Sequence, residues 1–144
     1  SAAVLSQAMR SREIHRTYQA FALGETAASG TIDAPIARLN GSLIQRTVDF
    51  SSGERSVTHY RTLAHCSVFS HLELNLETGR THQIRVHMAY IGHPLLGDTL
   101  YNKTPGTFPR QALHSASLSF VHPITGEPLN FHAPLPEDMQ NLLT

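Results

Sequence analysis

Residues 77–101 read ETGRTHQIRVHMAYIGHPLLGDTLY, and a change of period inside this stretch decides how the chain is built. Residues 67–76 just before it alternate as a strand. Val68, Leu72, Leu74 and Leu76 share a parity, interrupted by Ser70, while Phe69, His71, Glu73 and Asn75 take the other face. Thr78-Gly79 ends that strand. The spacing then becomes helical: Ile84, His87, Met88 and Ile91 fall on one face, and Gly92 is the stop. Arg80 is therefore placed in a tight strand-to-helix loop. Backbone N–H groups are unpaired there, and a fixed cation can hold a carboxylate or a phosphate. Thr81 is the expected N-cap, with His82, Gln83 and Arg85 beginning the helix. Taken alone, Arg80 reads equally well as a surface arginine bonded to loop carbonyls.

Working outward, residues 55–65 form the partner arm of a β-hairpin with 67–76. Upstream, residues 2–12 read as a short helix and 15–23 as a strand favoured by Thr17, Tyr18, Phe21 and Leu23. Gly24 closes that strand. An extended piece, TIDAP, lies between Gly30 and Pro35, and Asn40-Gly41 marks a turn. Residues 44–50 alternate as a strand, followed by the turn Ser51-Ser52-Gly53. Downstream, a loop rich in Gly, Pro and Asn runs from 92 to about 109. Strands are expected at 112–121 and 128–132 around HPITGEP, and a short helix after Pro136. Strands dominate, which predicts an α+β domain with a mixed, largely antiparallel sheet and a few short helices.

Composition narrows the function. The 144 residues fit one domain or most of one, and no apolar run approaches the ~18 residues of a membrane span. The single Cys66 cannot form an internal disulfide, so a cytoplasmic chain is the plain expectation. Formal net charge is zero, which argues mildly against an autonomous nucleic-acid binder. The basic residues are nevertheless almost all arginine, whose planar fork suits phosphates and base stacking. Codon bias accounts for that skew equally well. Ten histidines raise the question of metal, but His82, His87 and His93 lack the spacing that puts two ligands on one helical face, so no metal site is expected.

The run GRTHQIRVHMAYIGHPLLGD..Y resembles the signature of RluA-like RNA pseudouridine synthases, close to GRTHQIRVH…GHP..GD..YG. Four other stretches agree in family order: LSQAMRSREIHRTYQAFALG (5–24), GTIDAPIARL (30–39), GERSVTHYRTL (53–63) and LHSASLSFVHPITGEPLNFHAPLPEDM (113–139). The resemblance implies the pseudouridine synthase catalytic fold, an rRNA or tRNA substrate, and no cofactor. It implies catalytic roles for Tyr18, as ring platform and hydroxyl, and for Arg80, as the partner that keeps the catalytic aspartate ionised. It implies substrate contacts for Ile84, which would line the uracil pocket, and for Arg16, Arg38 and His82. His82, His93, His114 and His122 occupy family-like positions, where structural hydrogen bonding is the expected role.

Three departures stand against the pattern. Arg16 replaces the usual Lys, and Asn102 the usual Gly. The third is severe: the family's aspartate lies in an HRLD..TSG motif, and none of Asp33, Asp49, Asp98 or Asp138 has that context. Each reads as a turn, capping or surface residue. The resemblance therefore implies one partial catalytic domain over 1–144, lacking its N-terminal strands and nucleophile, with Arg80 left to hold water, an anion or another carboxylate. Removal of strands would expose an edge through which copies self-associate. A catalytically dead RNA-binding relative and a bare scaffold are the competing readings.

Overall fold

A computed structural model describes residues 14–143 apart from 43, 105, 107, 122–123 and 125–127. The helix expected at 2–12 lies outside the described residues. The strands are β1 (Ile14–Leu23), β2 (Ser29–Asp33), β3 (Ile36–Arg38), β4 (Arg46–Val48), β5 (Val57–His65), β6 (Phe69–Leu76), β7 (Leu113–Val121) and β8 (Pro128–His132). Helix α1 spans Gln83–Tyr90 and α2 spans Glu137–Gln140. Six strands form one sheet in the order β2-β5-β6-β1-β7-β8, and β3 pairs with β4 in a second, two-stranded sheet. Among the described residues every pairing is antiparallel, and with the few short helices this is the largely antiparallel α+β fold expected.

The central strand β1 is buried on both faces, which explains its Ala20-Phe21-Ala22 run. Ala20 and Ala22 join Leu72, Leu74, Ile84, Met88 and Leu95 in one core cluster, on the side covered by α1. Phe21 points the other way, into a second cluster with Leu96, Ala112 and Met139. Burying a side chain such as Phe21 completely stabilises the fold by about 1.5–3 kcal/mol. The loop after α1 is hydrogen-bonded onto the end of β1: the Leu23 N–H donates to Pro94 O, and the Leu96 N–H to Phe21 O. Gly97 permits this course. Its φ is +72°, and a Cβ there would lie 1.7 Å from the Arg110 carbonyl oxygen.

Some local expectations shift. The hairpin alternation holds for Ser70, Leu72 and Leu74, which are fully buried, but Val68 lies before the strand and is 62% exposed. The strand expected at 44–50 contracts to 46–48, because Ile44 and Phe50 project into solvent. Its partner β3 follows Pro35. The αL glycine Gly92 (φ +88°) ends α1 as expected. No helix among the described residues is long and apolar enough to cross a membrane.

Candidate functional site

Helix α1 does not start as the sequence suggests. His82, not Thr81, is the N-cap; its φ is +58°, and neither residue caps the helix through its side chain. A non-glycine residue in the left-handed region costs energy unless its surroundings over-determine it, and here they do. The Gln83 side chain reaches back, its Oε1 accepting the Arg80 backbone N–H (3.0 Å) and the Thr78 hydroxyl (2.7 Å). Its Nε2 donates to Val57 O (3.0 Å) and Thr58 Oγ1 (2.9 Å). Both ends of this buried amide are satisfied, and the loop bearing Arg80 is tied to β5.

The chain of bonds continues into the core. His87 Nε2 lies 2.8 Å from Ala34 O, and a carbonyl only accepts, so Nε2 carries the proton. Its Nδ1 then accepts from Thr58 Oγ1 at 2.8 Å, which fixes a neutral imidazole. Burial pushes the His87 pKa down, and it does the same to His82 and His71. Below the ordinary value of 6.5 the unfolded chain takes up protons at these positions that the folded chain resists. Stability should therefore fall as the pH drops below 6.5 and gain nothing from these groups above it. Melting temperatures at pH 7.5 and 5.5 check this, and equal values would refute it.

Arg80 leaves this rigid loop for a cleft of about 460 Å³. Ile36, Ala37, Arg38 and Arg46 of the β3–β4 sheet line one side, with Ser52, Glu54, Gly79 and Thr81 completing it. Three arginines and one glutamate thus line it, and the Arg46 Nη1 donates to Ile44 O at 3.0 Å. Arg80 Nη1 is 2.9 Å from Glu54 Oε2, and its Nε donates to Arg55 O at 2.9 Å. Glu54 is 71% exposed, so this ion pair is worth about 0–1 kcal/mol and is readily displaced by a better anion. The expected free arginine thus holds another carboxylate, though not an aspartate.

A buried brace supports the cleft from behind. Arg85 forms a two-pronged ion pair with Asp98, Nε to Oδ2 at 3.0 Å and Nη2 to Oδ1 at 2.9 Å. Asp98 is fully buried and also accepts the N–H groups of Leu100 and Tyr101. Burial pushes its pKa up, but the Arg85 guanidinium and these amides outweigh burial and hold it below the ordinary carboxylate value. The surface reading of Asp98 is thus corrected, while its turn role stands. The Tyr101 ring lies under the Arg85 guanidinium, 5.1 Å from centroid to Cζ. The Tyr101 hydroxyl accepts the Arg46 N–H at 2.9 Å and meets His82 Nδ1 at 2.7 Å. One phenol therefore links the β3–β4 sheet to the start of α1. Asn102 follows with an ordinary negative φ, its amide donating to Leu95 O at 2.8 Å, so a glycine is not required at that position.

The residues singled out by sequence are only partly gathered. Arg38 and Arg80 share the cleft, and His82 adjoins it while turned toward Tyr101. Ile84 is 4% exposed inside the first core cluster, and Tyr18, half-buried, packs against that same cluster. Arg16 lies two residues before Tyr18 on β1, paired in register with Leu118. Neither Tyr18, Ile84 nor Arg16 lines the arginine cleft. His93 and His114 bond to the carbonyls of Leu23 and Ala133, matching their expected structural role, while His122 lies outside the described residues. Sequence reasoning missed Arg46, Glu54 and the Arg85–Asp98 pair. Pairing the two arms around Asn40-Gly41 would have set Arg38 opposite Arg46, as the register does.

Comparison with known proteins agrees with the resemblance. A family model described as RNA pseudouridylate synthase matches residues 1–90. "Uncharacterized RNA pseudouridine synthase YjbO" of Bacillus subtilis is 50% identical over 141 residues, covering 97% of this chain and 50% of that protein. "Ribosomal large subunit pseudouridine synthase D" is 46% identical in Vibrio cholerae and 44% in Escherichia coli K12. Those alignments cover 94% and 96% of this chain, and 46% and 47% of the relatives. This chain thus spans about half the length of these relatives. Among solved structures, "Human RNA Pseudouridylate Synthase Domain Containing 1" superposes with a TM-score of 0.79 at 27% identity, over 92% of this chain and 59% of its own. "Human RNA Pseudouridylate Synthase Domain Containing 4" gives 0.80 at 22% identity, over 99% and 66%, a likeness of fold.

Proposed function

We propose, because this chain belongs to the RNA pseudouridylate synthase family, that its arginine cleft holds RNA while a uridine is isomerised to pseudouridine. The reaction breaks the C1′–N1 bond of uridine, turns the uracil and rejoins it through C5. It needs a target base taken out of its stack, an ionised carboxylate and a group to manage the C5 proton. The observation that carries this reading is the placement of Arg80. It is a guanidinium on a braced loop, lining one cleft with Arg38 and Arg46, paired with an exposed glutamate and bonded to the Arg55 carbonyl.

In this reading Arg80 keeps the reacting carboxylate charged, and Tyr18 supplies a ring face and a hydroxyl at the base. Ile84 lines the uracil side, and Arg16, Arg38 and His82 contact the RNA. No cofactor is called for. Ribosomal or transfer RNA is the proposed target, in the cytoplasm, and the ribosomal large subunit in the names of the Vibrio and Escherichia relatives supports the former. Self-association through an open sheet edge, β2 or β8, belongs to the same proposal.

A second reading turns on the carboxylate that Arg80 would serve. Asp98 is engaged with Arg85, Asp138 with Arg110, and Asp49 with its own serine turn, while Asp33 lies exposed on β2. None of these four meets Arg80, and the alternative reading is an RNA-binding relative without catalysis. Incubating the full-length protein with ribosomal and transfer RNA and counting pseudouridines separates the two. New pseudouridine supports the synthase; RNA binding without it supports the relative; neither outcome rejects both.

A further inference from the structure

Two large rings outside the cleft lining stand in water. Phe50 is 69% exposed and Tyr90 is 54% exposed, and their centroids are 6.4 Å apart with planes inclined by 54°. Exposed apolar side chains scattered singly need no explanation, but two rings in contact, one of them two residues from cleft-lining Ser52, point to a ligand.

Both rings are held by ordered backbone. Phe50 follows Asp49, whose Oδ1 accepts the Ser51 N–H (2.9 Å), the Ser51 hydroxyl (2.8 Å) and the Ser52 N–H (3.1 Å). The other oxygen takes the Ser52 hydroxyl at 2.6 Å. The turn is therefore locked with its aromatic residue facing out. Tyr90 is the last residue of α1, whose eight residues span about 12 Å from the Arg80 loop. The turn bearing Phe50 also supplies Ser52 and Glu54 to the cleft. Phe50 thus lies just beyond the strand that carries Arg46, and Tyr90 ends the helix that follows the Arg80 loop.

That combination fits one chemistry. A phosphodiester offers negative charge to Arg38 and Arg46, and an unpaired base offers a flat face to a ring. A protein partner would need a broader apolar surface than two rings. We propose that Phe50 and Tyr90 form a stacking platform for an unpaired base of the RNA, next to the nucleotide held in the arginine cleft. This deepens, and depends on, the reading of the cleft as an RNA site.

The test is the dissociation constant of a labelled single-stranded oligoribonucleotide, measured by anisotropy on the full-length protein. Phe50→Ala and Tyr90→Ala are each expected to weaken binding about tenfold, the scale of one lost base stack. Phe50→Tyr, which keeps a ring, should bind like the wild type. The slope of affinity against salt should not change in either alanine variant, because no phosphate contact is lost, whereas Arg38→Ala should flatten it. If Phe50→Ala folds poorly, Phe50→Leu removes the ring while keeping an apolar side chain and should show the same loss. Unchanged affinity in these variants overturns the proposal and leaves the rings to a protein contact. A wild type that does not bind the oligonucleotide overturns it too. Pseudouridine formation by the wild type is scored separately, so a synthase with an irrelevant ring pair is distinguishable from a protein that is no synthase.

Discussion

Arg80→Ala in the full-length protein is expected to cut pseudouridine formation by about 10²–10³-fold, the usual cost of removing one preorganised charged or donor group from a reacting site. RNA affinity should change little, because Arg38 and Arg46 remain in the cleft. The loop should also keep its shape. Gln83 holds it through the Arg80 backbone N–H, which alanine retains. The loss would then belong to the guanidinium and not to a collapsed site. Arg80→Lys keeps the charge but loses the Nε donor to Arg55 O and the fork geometry, so only a partial rescue is expected. Glu54→Gln is the matching control: it removes the exposed carboxylate on Arg80 and should leave turnover intact or raise it. Tyr18→Phe should also nearly abolish turnover while leaving the fold in place, since its ring still packs against the first core cluster. Turnover within about threefold of wild type for both Arg80→Ala and Tyr18→Phe, well short of the loss expected for such groups, would overturn these roles.

Asp98→Ala should have the largest effect on stability. The substitution leaves the Arg85 guanidinium, whose side chain is 14% exposed, without its counter-charge. Breaking a buried pair in this way costs about 3–5 kcal/mol. It also removes the acceptor for the Leu100 and Tyr101 N–H groups, loosening the turn that presents the Tyr101 hydroxyl to Arg46 and His82. Denaturant unfolding checks the size. Replacing both partners, Arg85→Met with Asp98→Leu, should recover part of the loss, because no lone charge stays buried. A single-variant loss below about 1 kcal/mol would place this pair among the weak surface bridges. The carboxylate's pKa lies below its unfolded value, so its contribution is complete above pH 3.8 and disappears as pH falls through the folded value.

Much of this was legible in the residues. The switch from period 2 to period 3.6 across Thr78–Gln83 locates the strand, the loop and the helix because each period follows from backbone geometry alone. The hairpin of β5 and β6 and the αL stop at Gly92 are likewise local matters. Tyr18 and Arg80 came from the family pattern, since an isolated strand tyrosine or loop arginine carries no signal of its own. Thr81 as N-cap failed for a physical reason. Its competitor, the Gln83 amide, is anchored by Val57 and Thr58, which lie 25 or more residues away, and no local rule weighs a bond of that span.

What the sequence by itself determined is the β5–β6 hairpin, the strand–loop–helix run that follows it, the later strands, and the family, because all of these are written in short-range period or in contiguous motifs. What only the tertiary structure decided is the site's electrostatics. Arg38, Arg46 and Arg80 become one cationic cleft because β3 pairs with β4 and the Tyr101 hydroxyl links Arg46 to the start of α1. Asp98 changes from a turn residue to a buried counter-ion because Arg85 is folded over it. Coulomb energies depend on distance through space and on the water excluded along the way, and neither quantity is a function of separation along the chain.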